Sequence, residues 1–215
     1  MQRMVHVVSG CRLLFTCQRS SLLRCAAALR LHNMANREQR IKAVKDKIGA
    51  VPDFPKPGIL FRDIFPLFKD AVLLNDLILL LVEHIKEKHD KVDVIVGLEA
   101  RGFLFGPMIA QHLNAAFVPI RKKGKLPGEC VKVEYSLEYG TDVFEAQKTA
   151  VQPGEKVIIV DDLIATGGTM DAACQLISGM GGDILECLVV IDLVDLKGAA
   201  KLKKPFFSLV QFEGE

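Results

Sequence analysis

Val157-Ile158-Ile159-Val160-Asp161-Asp162-Leu163-Ile164-Ala165-Thr166-Gly167-Gly168-Thr169-Met170 is the stretch whose reading decides the fold. Its first four residues form a β-branched apolar run, the pattern of a strand buried on both faces of a parallel sheet. Ala165 to Thr169 is a loop of small residues, and Met170 to Ile177 reads as a helix. Asp161 and Asp162 thus stand where the strand ends, and the loop after them runs into a helix N-terminus. Backbone N–H groups there have no intrahelical partner, and glycines let an oxyanion approach the chain, so the turn is an anion site. Adjacent aspartates repel a bare phosphate, but they suit hydroxyls or a cation beside it. A ribose phosphate meets both demands. No Gly-Lys-Ser/Thr follows the glycines, which excludes a Walker loop.

The same alternation of strand and helix extends outward in both directions. Val92 to Gly97, Ala116 to Ile120, Ile184 to Ile191 and Pro205 to Phe212 read as further strands. Residues 37–48, 70–88 and 102–112 read as helices; Asp70 suits an N-cap, and Lys86 and Lys88 favour the C-terminal end of the second. Leu196 to Leu202 reads as a short helix, and Gly58 to Ile64 as an extended piece or loop after a proline-rich break. Leu126 to Gly140 reads as a long hairpin or mobile loop. The fold class expected is α/β, a mostly parallel central sheet with helices on both faces.

The chain has 215 residues, half of them hydrophobic, enough for one substantial core. Net charge is +2, which makes no general case for nucleic acid, and no apolar run approaches the length of a membrane span. Residues 1–33 carry five arginines and no acid, whereas the remainder holds 23 basic and 26 acidic residues. The extension therefore reads either as a mitochondrial transit peptide or as a dispensable leader upstream of a second start at Met34, with residues 34–215 as the domain. Six cysteines include no CxxC pair, and no histidine has metal-ligand spacing, so neither zinc nor a disulfide framework is expected. Cys174 and Cys187 fall in helix and strand interiors, where a free thiol packs as a small hydrophobe. His84 and His112 read as surface or packing residues. The basic run Arg121-Lys122-Lys123-Gly124-Lys125 leaves a strand end, which is where open α/β sheets place ligands.

The 157–170 stretch resembles the 5-phosphoribosyl-1-pyrophosphate (PRPP) motif of the type I phosphoribosyltransferases. Five further segments are similar to the adenine phosphoribosyltransferases among them. These are Phe61-Arg62-Asp63 after a Pro-Gly turn, Arg101-Gly102-Phe103-Leu104-Phe105-Gly106-Pro107, residues 121–128, Tyr135-Ser136-Leu137-Glu138-Tyr139-Gly140 and Pro205-Phe206-Phe207-Ser208-Leu209. The likeness spans about residues 37–213.

It implies a small N-terminal hood over the base and transfer of adenine to C1 of PRPP in purine salvage. AMP and pyrophosphate are then the products, and magnesium is required. Ala165, Thr166, Gly167, Gly168 and Thr169 are expected to hold the 5′-phosphate. Asp161 and Asp162 are expected on the ribose hydroxyls, influencing magnesium through water without an all-protein cage. Arg101, with backbone of the 99–102 loop including Ala100, is expected on the pyrophosphate, and the family's unusual cis peptide is expected between Ala100 and Arg101. Lys122 and Lys125 should supply charge to phosphate, with Arg121 structural. Phe61 is expected to stack on adenine with Leu163 opposite, while backbone at Leu60 and Arg62 reads the Watson–Crick edge. Glu138 is the candidate acid/base group and Tyr139 a closing contact. A homodimer in the cytoplasm is implied, or in mitochondria if residues 1–33 act as a transit peptide. The rival readings are a transferase for another purine base and a PRPP-binding regulator without catalysis.

Overall fold

The computed structural model describes residues 36–137 and 140–213, with no account of the side chains of residues 136, 137 and 140. The chain divides into two units, Met1–Arg40 and Ile41–Glu215. In the first, residues 36–40 are helical. The second opens with helical residues 41–47 (α1) and continues as β1 (Gly49–Pro52), β2 (Leu60–Asp63), α2 (Phe65–Phe68), α3 (Ala71–Lys88) and β3 (Val94–Leu98). Next come α4 (Gly102–Leu113), β4 (Ala116–Lys122), β5 (Cys130–Leu137), β6 (Gly140–Gln147), β7 (Lys156–Ile164), α5 (Gly168–Gly179), β8 (Asp183–Leu193) and β9 (Phe206–Phe212).

The main sheet has the order β5-β6-β4-β3-β7-β8-β9. Its five strands from β4 to β9 run parallel, and the antiparallel hairpin β5–β6 is attached at the far end of β4 through Arg121↔Glu145 and Lys122↔Phe144. Alternate residues of a strand leave opposite faces, and the core divides accordingly. Ile95, Ile158, Val160, Leu188 and Val190 pack with Leu77, Leu81, Phe105 and Ile109 of α3 and α4. Val94, Val96, Val157, Ile159 and Val189 pack with Ala172, Ala173, Leu176 and Ile177 of α5. Truncating one such fully buried Leu or Ile to Ala typically costs about 2–5 kcal/mol.

Local signals act as expected in several places. The Asp70 carboxylate accepts from the Leu73 amide at 3.1 Å, capping α3, and Lys86 and Lys88 lie in its last turn. Cys174 and Cys187 are buried free thiols whose sulfurs lie 3.3 Å apart between α5 and β8. His84 is a packing residue, stacked on Phe207 at 3.5 Å and bonded to Glu186 at 2.9 Å, whereas His112 is exposed. No described helix is long and apolar enough to cross a membrane.

Three expectations are corrected. The strand carrying the aspartates does not stop before them. β3 follows β7 only to Gly97↔Val160, but β8 continues to Ile164↔Asp192, so the carboxylates belong to a strand flanked on one side alone. The 196–202 helix is instead two single 3₁₀ turns, Val194–Leu196 and Ala199–Lys201, parted by Lys197 at φ 52° and Gly198. The cis peptide lies one bond earlier than expected, between Glu99 and Ala100.

Candidate active site

The parallel strands end along one edge, and there the loss of β3 beside β7 opens a cleft of about 300 Å³. Its lining includes Glu99 to Arg101, Lys122, Tyr135, Asp142 and the continuous run from Asp161 to Met170. The floor is the β7–α5 turn. Gly167 adopts φ +83°, a left-handed conformation that favours glycine, and serves as N-cap of α5 without a side-chain cap. The turn is wedged against Gly198: a Cβ there would fall 2.1 Å from the Ala165 carbonyl oxygen. Thr166, Gly168 and Thr169 remain partly accessible on the cleft side. Backbone amides at a helix start, two hydroxyls and no capping side chain leave donors for an anion.

Asp161 and Asp162 face the same cleft. The Asp161 Oδ1 accepts from the Asp162 amide at 2.9 Å. Burial, followed by the neighbouring Asp162 charge, pushes the Asp161 carboxyl well above the ordinary carboxylate range. Burial raises Asp162 as well, offset in part by the Arg101 guanidinium. Arg101 Nη1 stands 3.0 Å from Asp162 Oδ2, yet that oxygen is buried and makes no aligned hydrogen bond. It is an orphaned acceptor beside a cation, in position to take another donor or a hydrated metal.

Arg101 is brought here by the close start of α4 against β7. A Cβ at Gly102 would lie 2.5 Å from the Val160 carbonyl oxygen, so only glycine allows this approach. On its other side Arg101 stands over the Phe61 ring, 5.6 Å from the centroid. It therefore also lines a second recess, apolar and about 480 Å³, formed with Val51, Phe54, Phe61, Asp63 and Phe65. β1 and β2 make a separate two-stranded antiparallel sheet there, with Val51↔Phe61 in register. β2 has no strand on its second edge among the described residues, so that backbone edge at Leu60 and Arg62 can be read by a ligand. Phe54 meets Phe61 edge-on at 5.0 Å.

The basic run divides by function of contact. Arg121 donates to Glu99 through Nη2 at 3.1 Å and Nε at 3.3 Å, and the Lys122 amide reaches the same carboxylate at 2.9 Å. Burial opposes the Glu99 charge, but these donors outweigh it and hold its carboxyl below the ordinary range. Arg121 and Glu99 thus brace the 99–101 turn. Lys122 reaches into the cleft and pairs with Asp142 at 2.9 Å. Lys125 does not line the cleft; its carbonyl accepts from Arg121 at 3.3 Å. Leu163 lines the phosphate cleft and is not among the residues around Phe61. Glu138 and Tyr139 lie outside the described residues.

The structure adds Tyr135 and Asp142, which the sequence reading did not single out. They face each other across the hairpin in register. Burial and the Asp142 carboxylate push the Tyr135 hydroxyl up to about 12, so it stays a donor. Their signal in sequence was weak, because a Tyr and an Asp seven residues apart meet only once the hairpin register is known.

Comparison with known proteins agrees with this geometry. Residues 71–211 match the profile of the phosphoribosyl transferase domain. The chain is 53% identical over 178 residues to adenine phosphoribosyltransferase of Dipodillus campestris, covering 82% of this chain and 99% of that protein. The crystal structure of the Saccharomyces cerevisiae enzyme, bound to an iminoaltritol bisphosphate and adenine, superposes with TM-score 0.79 at 47% identity, over 80% of this chain and 99% of that one. The Trypanosoma brucei enzyme, solved with AMP, pyrophosphate and ribose-5-phosphate, gives TM-score 0.74 at 28% identity, over 80% of this chain and 79% of that one.

Proposed function

The chain belongs to the phosphoribosyltransferase family, and from that premise we propose that it joins adenine to PRPP, giving AMP and pyrophosphate in purine salvage. One observation carries the reading. Arg101 lines both the anion cleft and the apolar aromatic recess, so a sugar phosphate and a flat base bound in the two would meet at that residue. Nothing in a simple phosphate-binding domain calls for the second recess.

In the transfer, adenine N9 forms the new bond to C1 while the C1–oxygen bond to pyrophosphate breaks. The sugar passes through an oxocarbenium-like state as negative charge gathers on the leaving group. The gain comes from holding the reactants in line and from donors placed where charge develops. The α5 amides with Thr166 and Thr169 hold the 5′-phosphate; Asp161 and Asp162 accept from the ribose hydroxyls. Arg101 turns from Asp162 to the pyrophosphate, joined by Lys122, while Lys125, outside the cleft in the ligand-free chain, would have to move to add its charge. Phe61 stacks on adenine, Leu163 reaches its other face from the phosphate-cleft side, and the open edge of β2 reads the base. Glu138 exchanges the proton of the base, and Tyr139 closes over it.

Phosphoribosyltransferases generally use Mg²⁺ with PRPP. The residues fit a metal carried mainly by substrate oxygens. Two adjacent carboxylates, one with an orphaned oxygen, face the cleft, and no group of three or more side-chain ligands occurs among the described residues. Bound there through water, the ion would neutralise pyrophosphate charge. The reading further assigns a homodimer, in the cytoplasm with residues 1–33 as a dispensable leader, or in mitochondria if they act as a transit peptide.

Incubating the full chain with adenine, PRPP and magnesium, with hypoxanthine and guanine in parallel, tests the proposal. AMP formed from adenine alone supports it. Turnover of an oxo-purine instead would assign a different base, and PRPP binding with no product would assign a regulator.

A further inference from the structure

Among the described residues, the cations at the cleft are already matched to carboxylates: Arg101 to Asp162, Arg121 to Glu99 and Lys122 to Asp142. The three pairs differ in kind. Glu99 is saturated by Arg121 and by a backbone amide, so that pair is a brace. Asp162 is buried in the motif strand. Asp142 is neither. It stands on β6 two residues from Phe144, the register partner of Lys122, which makes it the diagonal neighbour on the same face.

Asp142 keeps its place without Lys122. Its Oδ1 accepts from the Val143 amide at 2.8 Å, and the Tyr135 hydroxyl donates to it across the hairpin. Lys122 is the movable member, with its side chain 54% exposed on a flexible four-carbon stem. An ion pair so exposed is weak, and a polyphosphate offers more charge than one carboxylate. The Lys122 ammonium in turn holds the Asp142 carboxyl below its ordinary range, which keeps it a carboxylate at neutral pH.

We propose that Asp142 is a positioning residue that stands in for the pyrophosphate: it holds the Lys122 ammonium beside the cleft and exchanges it with the ligand's phosphate oxygens. PRPP entry and pyrophosphate departure then occur by partner exchange. Asp142 lowers anion affinity modestly, and in return Lys122 is already oriented when substrate arrives and has a partner to return to when product leaves. This rests on the reading of the cleft as a PRPP site.

The test is calorimetric titration of the full chain with inorganic pyrophosphate and magnesium. Asp142→Asn keeps the acceptor for the Val143 amide but removes the competing charge, and it tightens pyrophosphate about three- to fivefold. Asp142→Glu returns affinity toward that of the unaltered protein. In a Lys122→Ala background, Asp142→Asn gives no tightening, which is the non-additivity expected of a direct pair. The KM for PRPP falls in parallel, while that for adenine does not change. Weaker or unchanged pyrophosphate binding in Asp142→Asn overturns the inference, since loss of a merely structural residue would act in that direction. Equal tightening with and without Lys122 also overturns it, by assigning the effect to diffuse charge. If the unaltered protein binds pyrophosphate and makes AMP, such results fall on Asp142 alone. If it binds none, the reading of the cleft fails and this inference with it.

Discussion

The phosphate end and the base end of the site are built from different materials. At the phosphate end, the β7–α5 turn is continuous with a strand whose Val157 to Val160 segment is completely buried, and it is wedged against Gly198. Recognition there is written mainly in backbone. At the base end, a two-stranded sheet presents Phe61 beside Val51, Phe54 and Phe65, which are 42%, 51% and 52% exposed. An isolated pair of strands is marginal alone, so the recess depends on packing around it and its recognition rests on side chains. The phosphate end is therefore hard to alter without harm to the fold, whereas the base end can change affinity with little structural cost. Arg101, touching both, should be the least replaceable side chain.

The largest effects are expected where the two ends meet. Arg101→Ala removes the charge that turns to the departing pyrophosphate, and kcat/KM for PRPP should fall about 10²- to 10³-fold. The loss should extend to pyrophosphate in the reverse reaction. Glu138→Gln should instead lower kcat by about 10²-fold or more with substrate binding retained, as expected for loss of general acid–base help. Steady-state kinetics in both directions separates the two patterns. Unchanged turnover in Glu138→Gln would remove that residue from the chemistry.

A smaller and more selective effect should follow at the base end. Phe61→Ala removes the stacking face while leaving the β7–α5 turn untouched. Stacking of a base on an aromatic ring is worth about 1–3 kcal/mol, so the KM for adenine should rise about tenfold or more. The KM for PRPP should stay near its original value. An equal rise in both would break the division between the ends.

This division also explains what sequence could show. The anion site was legible because its parts are contiguous: apolar strand, two carboxylates, small loop and helix fall in one unbroken run. The Asp70 cap and the buried thiols were legible for the same reason, since each depends on local pattern. β6 was not. Its run Thr141-Asp142-Val143-Phe144-Glu145 carries an acid inward, and Glu145 is buried only because Gly124 N–H and Lys132, both distant in sequence, satisfy it. Arg121 was read as structural, but its partner Glu99 lies 22 residues earlier and emerges only when β3 and β4 pair. The extension of β7 past the aspartates was hidden because it depends on β8 outlasting β3 as a neighbour.

The smallest effect is the one that tests whether the phosphate end is strained for function. Asp161 is half-buried at the cleft, and burial with the Asp162 charge raises its carboxyl well above the ordinary range. In the unfolded chain that carboxyl titrates in the ordinary carboxylate range. A carboxyl raised on folding destabilises the native state once it must ionise. The penalty is absent below the unfolded value, grows as pH rises toward the folded value, and is complete above it. Asp161→Asn retains an oxygen for the Asp162 amide and removes the charge, so the ligand-free protein should melt about 2–4 °C higher at neutral pH. The gain should shrink once pH falls below the raised value and vanish below the unfolded one, where the carboxyl is neutral in both states. Activity should drop in the same variant, since the ribose hydroxyls lose an ionised acceptor. Thermal melts across pH alongside turnover would check both halves. A variant that melts lower at neutral pH would mean that the carboxylate stabilises the turn, and the phosphate end would then be optimised for the fold rather than held under tension for its ligand.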